Sequence, residues 1–196
     1  LEESLHQTAF TPATLSAAVI QAHQRLRSAY PSGQALCTLA AAVACLDRHE
    51  VVFVNVGDAP AYFCQAGQVD LCATLDIRAQ ARQQNGTTVI QDGLPLMDYP
   101  LTACLGFPEP FQPHVFVQAV RPGATVAVGS DGVDAQVIEA VFRAGTQIID
   151  PTSLARLVQK AAHRNDDDAT VVLLGWGEDA EFAALQKRLA GRGCRF

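Results

Sequence analysis

"HEVVFVNVGDAPAYFCQAGQVDLC", residues 49–72, decides the fold class. Val52, Val54 and Val56 alternate with Phe53 and Asn55, the period-two spacing of a strand. "GDAP" (57–60) then turns, "AYFC" (61–64) extends, "QAGQ" (65–68) turns and "VDLC" (69–72) extends again. Turns this short cannot hold the crossover that parallel neighbours need, so the pieces predict antiparallel sheet. The preceding run, "LCTLAAAVACL" (36–46), fits a strand or a buried helix by itself. The hairpins that follow it favour strand.

Working outward, "TPATLSAAVIQAHQRLRSAY" (11–30) opens with Thr11 as N-cap and Pro12 in the first helical position. Leu15, Ala18, Val19, Ala22 and Leu26 fall on one helical face. His23 sits at the edge of that stripe and reads as a surface or half-buried histidine. Residues 74–100 carry Gly86, Gly93, Pro95 and Pro100 and read as a helical turn followed by loop. "HVFVQAV" (114–120) and "TVAVG" (125–129) are strands. "DAQVIEAVFRAG" (134–145) is a helix with Val137, Ala140 and Val141 on one side and Gly145 as its stop. Another helix is read over "DPTSLARLVQKAAHR" (150–164), capped by Thr152 or Ser153. "ATVVLLGW" (169–176) is β-branched with little polarity and reads as a central strand. "EDAEFAALQKRLAG" (178–191) closes the chain as an amphipathic helix. No internal repeat or linker is read, so the expectation is a single domain over 1–196. Its class is α+β: antiparallel sheets flanked by helices.

The 196 residues are 49% hydrophobic and 17% charged, enough apolar content for a substantial core. The net charge of −6 argues against a nucleic-acid binder, which needs a surplus of Lys and Arg. No apolar run is long enough to cross a bilayer, and no signal-peptide pattern opens the chain. The chain begins at Leu1 and its one methionine is Met97, which points to a segment upstream. Cys37, Cys45, Cys64, Cys72, Cys104 and Cys194 include no C-x-x-C pair. Most lie in apolar runs, as reduced, buried thiols of a cytoplasmic protein do.

Two acidic corners carry the chemistry. Asp131 follows the strand at 125–129, and Asp166, Asp167 and Asp168 precede the strand at 169–176. Adjacent carboxylates repel, and a hard divalent cation would offset that repulsion. Neighbouring strands lie about 4.8 Å apart, so carboxylates at matching strand ends could share such an ion. Mg²⁺ and Mn²⁺ take oxygen ligands and commonly keep several waters. Taken singly, "SDG" (130–132) is a common turn and "NDDD" (165–168) a solvated loop. No EF-hand, P-loop, H-E-x-x-H or G-x-S-x-G pattern is present. The residues alone thus point to a divalent-metal site and no further.

Their order resembles the type 2C metal-dependent protein serine/threonine phosphatases, the PPM family. "VNVGD" (54–58), "LTACLG" (101–106), "SDG" (130–132) and "DDAT" (167–170) stand where that family has G-D-S-R, L-T-x-x-L-G, S-D-G and D-N/D-x-T. The resemblance covers essentially the whole chain, with the helix at 12–30 and the strand at 36–46 in matching places. It implies two packed antiparallel sheets flanked by helices, with a two-metal centre at one end. It implies Asp131 and Asp167 as metal ligands, with Asp168 and Gly132 beside them supporting the site. It further implies two Mn²⁺ or Mg²⁺ ions and a phosphoprotein partner. The implied reaction is hydrolysis of phosphoserine or phosphothreonine by a metal-activated water.

The chain departs from the family pattern at three places. The family's D-G-x-G-G corner is absent, and the resemblance puts it and its strands before Leu1. The G-T-T segment reads Leu36-Cys37-Thr38, and G-D-S-R reads Gly57-Asp58-Ala59-Pro60. Pro60 also limits its strand to an edge or turn position. These departures keep two alternatives open: a catalytically silent phosphatase-like module that binds a partner or phosphoprotein, and a domain whose acidic corners bind a cation structurally.

Overall fold

The computed structural model describes residues 10–108, except 32 and 34, together with 112–133, 135–143 and 169–176. The helices read over 150–164 and 178–191 lie outside the described residues, as do Gly145, Asp166, Asp167, Asp168 and Cys194.

Two antiparallel sheets pack face to face. The first has the order β1-β2-β11, from Leu39–Cys45, Glu50–Val56 and His114–Ala119. The second has the order β13-β12-β3-β4, from Val171–Gly175, Thr125–Gly129, Ala61–Gln65 and Gln68–Leu71. Between them lies the main core. Val51 and Phe53 of β2 meet Ala61 and Phe63 of β3 and Val126 of β12, with Ala42, Phe116 and Val128 closing its sides. Phe53 and Phe63 meet edge to face, 6.4 Å between ring centres, worth about 0.5–1.5 kcal/mol beyond area burial.

A helix covers the outer face of each sheet. α1 (Pro12–Ala29) lays Val19 and Leu26 on Val54, Val56, Leu39 and Val115. α2 (Ala135–Arg143) sets Ile138 and Phe142 on Tyr62, Cys64 and Ala127. The architecture is therefore two packed antiparallel sheets flanked by helices, as the sequence suggested. β2 is buried on both faces because a helix covers one and the second sheet covers the other.

The start of α1 is as read. Thr11 Oγ1 accepts the Thr14 N–H, Thr14 Oγ1 accepts the Thr11 N–H, and Pro12 opens the first turn. Its buried face is as read only in part: Val19 is buried and Leu15 and Leu26 are half-buried. Ala18 and Ala22 are exposed, whereas His23 is buried. Its Nδ1 accepts the Gly106 N–H at 3.3 Å, a partner 83 residues away that periodicity could not reveal. In α2 Ile138 and Phe142, four apart, are buried and Ala140 is exposed; the side chains of Val137 and Val141 lie outside the described residues.

The "GDAP" turn does not close a hairpin. It carries the chain from β2 in the first sheet to β3 in the second. β13 is not central either. Among the described residues it ends its sheet, with Val172 63% and Leu174 42% exposed. Both share the inner face of the sheet with Val126 and Val128, but β1 packs opposite β12, so the first sheet stops short of them.

Residues 78–100 correct the reading most. They form no helical turn but an arm of three small antiparallel pairs. β5 (Gln80–Ala81) pairs with β10 (Met97–Asp98), β6 (Gln83–Gln84) with β7 (Thr87–Thr88), and β8 (Ile90–Gln91) with β9 (Leu94–Pro95). Asn85-Gly86 and Asp92-Gly93 make the two tips, all four residues with φ between 51° and 80°. Positive φ at both central positions is the type I′ hairpin signature. The arm also holds a seven-residue repeat, Q-N/D-G-x-x-V/L, at 84–89 and 91–96. Arg82, Val89 and Leu96 close a ring of backbone hydrogen bonds where the pairs meet: Arg82 N–H to Leu96 O, Leu96 N–H to Val89 O, Val89 N–H to Arg82 O.

Cys45, Cys64, Cys72 and Cys104 are buried and Cys37 exposed, all as free thiols. No helix among the described residues is long and apolar enough to cross a membrane.

Candidate metal centre

Strand register gathers the motif segments at one rim of the sandwich. β1 starts opposite the end of β2, Leu39 against Val56. β11 starts at the same level, His114 against Asn55. In the second sheet β12 ends where β13 begins, Gly129 against Val171, and where β3 begins, Val128 against Ala61. Thr38, Gly57, Asp58, His114, Ser130, Asp131 and Thr170 therefore all lie at that end.

Hydrogen bonds fix the acidic corner between its neighbours. The Ser130 N–H donates to Thr170 O at 2.9 Å, and the Thr170 N–H donates to Ser130 Oγ at 3.0 Å. The Gly129 N–H donates to Pro60 O at 3.0 Å, and the Val133 N–H closes the turn on Ser130 O. Asp131 is exposed at the tip of this turn, and Gly132 is buried behind it. Asp167 and Asp168, which precede Thr170 by three and two positions, lie outside the described residues.

The Gly57–Asp58 corner is built with equal care. Gly57 has φ +92°, and a Cβ there would collide with the Thr38 side chain. Gly106, the last residue of "LTACLG", has φ +85° and would drive a Cβ into the Ala35 carbonyl oxygen. Both positions require glycine for space as well as conformation. Under the corner, Asp76 Oδ2 accepts the Gly57 N–H at 2.8 Å, while the Asp76 N–H donates to Gly57 O at 2.9 Å. Asp76 Oδ1 lies 2.8 Å from His114 Nε2. Asn55, wholly buried, brackets Thr74 two residues earlier, donating to its carbonyl at 2.8 Å and accepting from its N–H at 3.2 Å.

Burial pushes the Cys104 thiol up, and neighbouring Cys37, Asp58 and Asp76 push it further. It stays a neutral thiol, not a soft thiolate ligand. What the rim offers a cation is carboxylate oxygen from Asp58 and Asp131, the donor type that suits Mg²⁺ or Mn²⁺. Among the described residues, no three His, Cys, Asp or Glu side chains stand together to hold an ion. The sequence reading passed over Asp58 as a turn residue and did not find Asp76 or His114. Asp76 and His114 lie 38 residues apart and share no motif, so only strand register unites them.

No family model matches the sequence, and no curated protein matches it either. Solved structures do. A bacterial serine phosphatase superposes with a TM-score of 0.63 at 15% identity, over 86% of this chain and 71% of that one. The catalytic domain of the serine/threonine phosphatase PstP, solved with two manganese ions, gives 0.58 at 19% identity, over 85% and 71%. PppA of Pseudomonas aeruginosa, a regulatory component of T6SS, gives 0.57 at 16% identity, over 87% and 74%. The chain therefore has the fold of the PPM-type serine/threonine phosphatases.

Proposed function

We propose that this chain is a single metal-dependent phosphatase domain that hydrolyses phosphoserine or phosphothreonine in proteins, in the cytoplasm. The observation that carries the reading is the meeting of the Asp131 turn, the Asp58 corner and the start of β13 at one rim of this fold. Asp131 and Asp167 would hold Mn²⁺ or Mg²⁺, with Asp58 as a further carboxylate on the same rim. When bound, such ions supply an acidified water and offset charge on the phosphoryl oxygens.

The chain's own groups set the frame for that step. Ser130 bonds Thr170 through both its N–H and its hydroxyl, which fixes the spacing between the Asp131 turn and the segment after Asp168. Gly132 is buried behind the turn that carries Asp131. Hydrolysis of p-nitrophenyl phosphate or a phosphopeptide with Mn²⁺ tests the reading, against Asp131→Ala and Asp167→Ala. Loss of turnover in both variants is expected, and unchanged rates reject the assignment.

One observation favours a second reading, a silent module that binds a phosphoprotein. Pro60 is buried where the family pattern has an arginine, and it offers no side-chain donor. Phosphopeptide binding without turnover at any Mn²⁺ concentration would select this alternative.

A further inference from the structure

Asp76 is used at every polar atom. Its N–H and Oδ2 bracket Gly57, its carbonyl accepts the Thr102 N–H at 2.7 Å, and Oδ1 meets His114 Nε2. The side chain is 15% exposed, that of His114 31%. A carboxylate offers an acceptor at each of its two oxygens, whereas an asparagine amide has one acceptor oxygen. The choice has a cost, because Asp76 adds negative charge to a rim that already carries Asp58 and Asp131, and like charges repel. His114, first residue of β11, offsets that cost with a charge-assisted hydrogen bond. Its opposite number on β2, Asn55, pins the same segment through Thr74. The segment 74–76 is thus fastened to two of the three strands of the first sheet that reach the rim, β2 and β11, and it in turn holds the Gly57–Asp58 corner.

We propose that His114, acting through Asp76, is a positioning residue for the metal centre. It sets the orientation of the Gly57–Asp58 corner, and with it the affinity of the rim for divalent cations. The inference rests on the phosphatase reading for its metal, but the hydrogen-bond chain behind it can be tested without metal.

The experiment compares wild type, His114→Leu, which removes the donor, and His114→Gln, whose amide can restore it. Hydrogen exchange at the Gly57 amide is read in EDTA. Mn²⁺ binding is read by calorimetry, and kcat and KM for p-nitrophenyl phosphate at saturating Mn²⁺. In His114→Leu the Gly57 amide is expected to exchange about 10-fold faster, since a local opening is made easier. Mn²⁺ affinity is expected to fall about 10-fold or more, the usual effect of removing a group that orients ligands. KM at saturating Mn²⁺ stays near wild type, and His114→Gln recovers both the exchange and the affinity. Unchanged exchange in His114→Leu overturns the hydrogen-bond chain, whatever the enzyme does. Faster exchange with unchanged Mn²⁺ affinity shows a purely structural contact and overturns the positioning role. A wild type that neither binds Mn²⁺ nor hydrolyses phosphate defeats the phosphatase reading, and the positioning role falls with it. Should His114→Leu fail to fold, His114→Asn, shorter but polar, takes its place with the same expected losses.

Discussion

Gly57→Ala puts the architecture of the rim to a quantitative test. Two independent terms oppose an alanine there. The first is conformational: φ is +92°, and an L-residue held in left-handed space loses about 1–2 kcal/mol. The second is steric, because the new Cβ collides with Cγ2 and Cβ of Thr38. Overpacking of that kind costs about 1–3 kcal/mol. Together they destabilise by about 2–5 kcal/mol. With a urea m-value of about 2 kcal/mol/M, the midpoint moves down by about 1–2.5 M. The double variant Gly57→Ala/Thr38→Ala separates the terms. It deletes the nearest atom but leaves Thr38 Cβ, so it should return part of the steric cost and none of the conformational one. Equilibrium urea unfolding followed by far-UV circular dichroism reads all three proteins. A Gly57→Ala midpoint within about 0.25 M of wild type, or about 0.5 kcal/mol, refutes the reasoning.

Four further outcomes are expected. Burial, and then Arg27, holds the His23 pKa below its ordinary value, so the folded state resists protonation that the unfolded chain accepts. Stability from this group is present above about pH 6.5 and is lost as pH falls from there towards the folded value. Melting temperature against pH should therefore fall more steeply below pH 6.5 in wild type than in His23→Gln. Asn55→Leu leaves the Thr74 N–H and carbonyl without their buried partner, and thermal unfolding should report a loss of about 1–3 kcal/mol. Gly93→Ala strains the second hairpin tip by about 1 kcal/mol. Hydrogen exchange should quicken across residues 90–95 while global unfolding barely moves. Chelation of Mn²⁺ should lower the melting temperature of wild type and leave Asp131→Ala indifferent, as mass action requires of a group that binds only the folded state.

What the residues disclosed and what they hid follow different physics. The alternation in 50–56 and the short turns after it announced antiparallel strands, because side-chain period is a local property of the backbone. The Thr11-Pro12 cap was equally plain, since all its partners lie within one turn. Which sheet each strand joins was hidden. "GDAP" looks like a hairpin turn, and only the packing of Phe53 on Phe63 shows that it crosses between layers. The arm at 78–100 was legible and was misread: Asn-Gly and Asp-Gly are strong type I′ signals, but two-residue strands are too short to show alternation. The Asp131 corner could be picked out as a candidate because its motif residues are written in consecutive positions. His23, Asp76 and His114 could not, since each finds its partner across the fold and nothing local marks it.

The ring of hydrogen bonds among Arg82, Val89 and Leu96 has a bearing on how this arm tolerates change in length. Each hairpin closes within its own seven residues and returns the chain to the ring in the same orientation. A single residue added to either hairpin flips every later side chain of that strand to the opposite face. A length change of one residue in either hairpin therefore breaks the ring that joins the three pairs above the Ile77–Leu101 bridge.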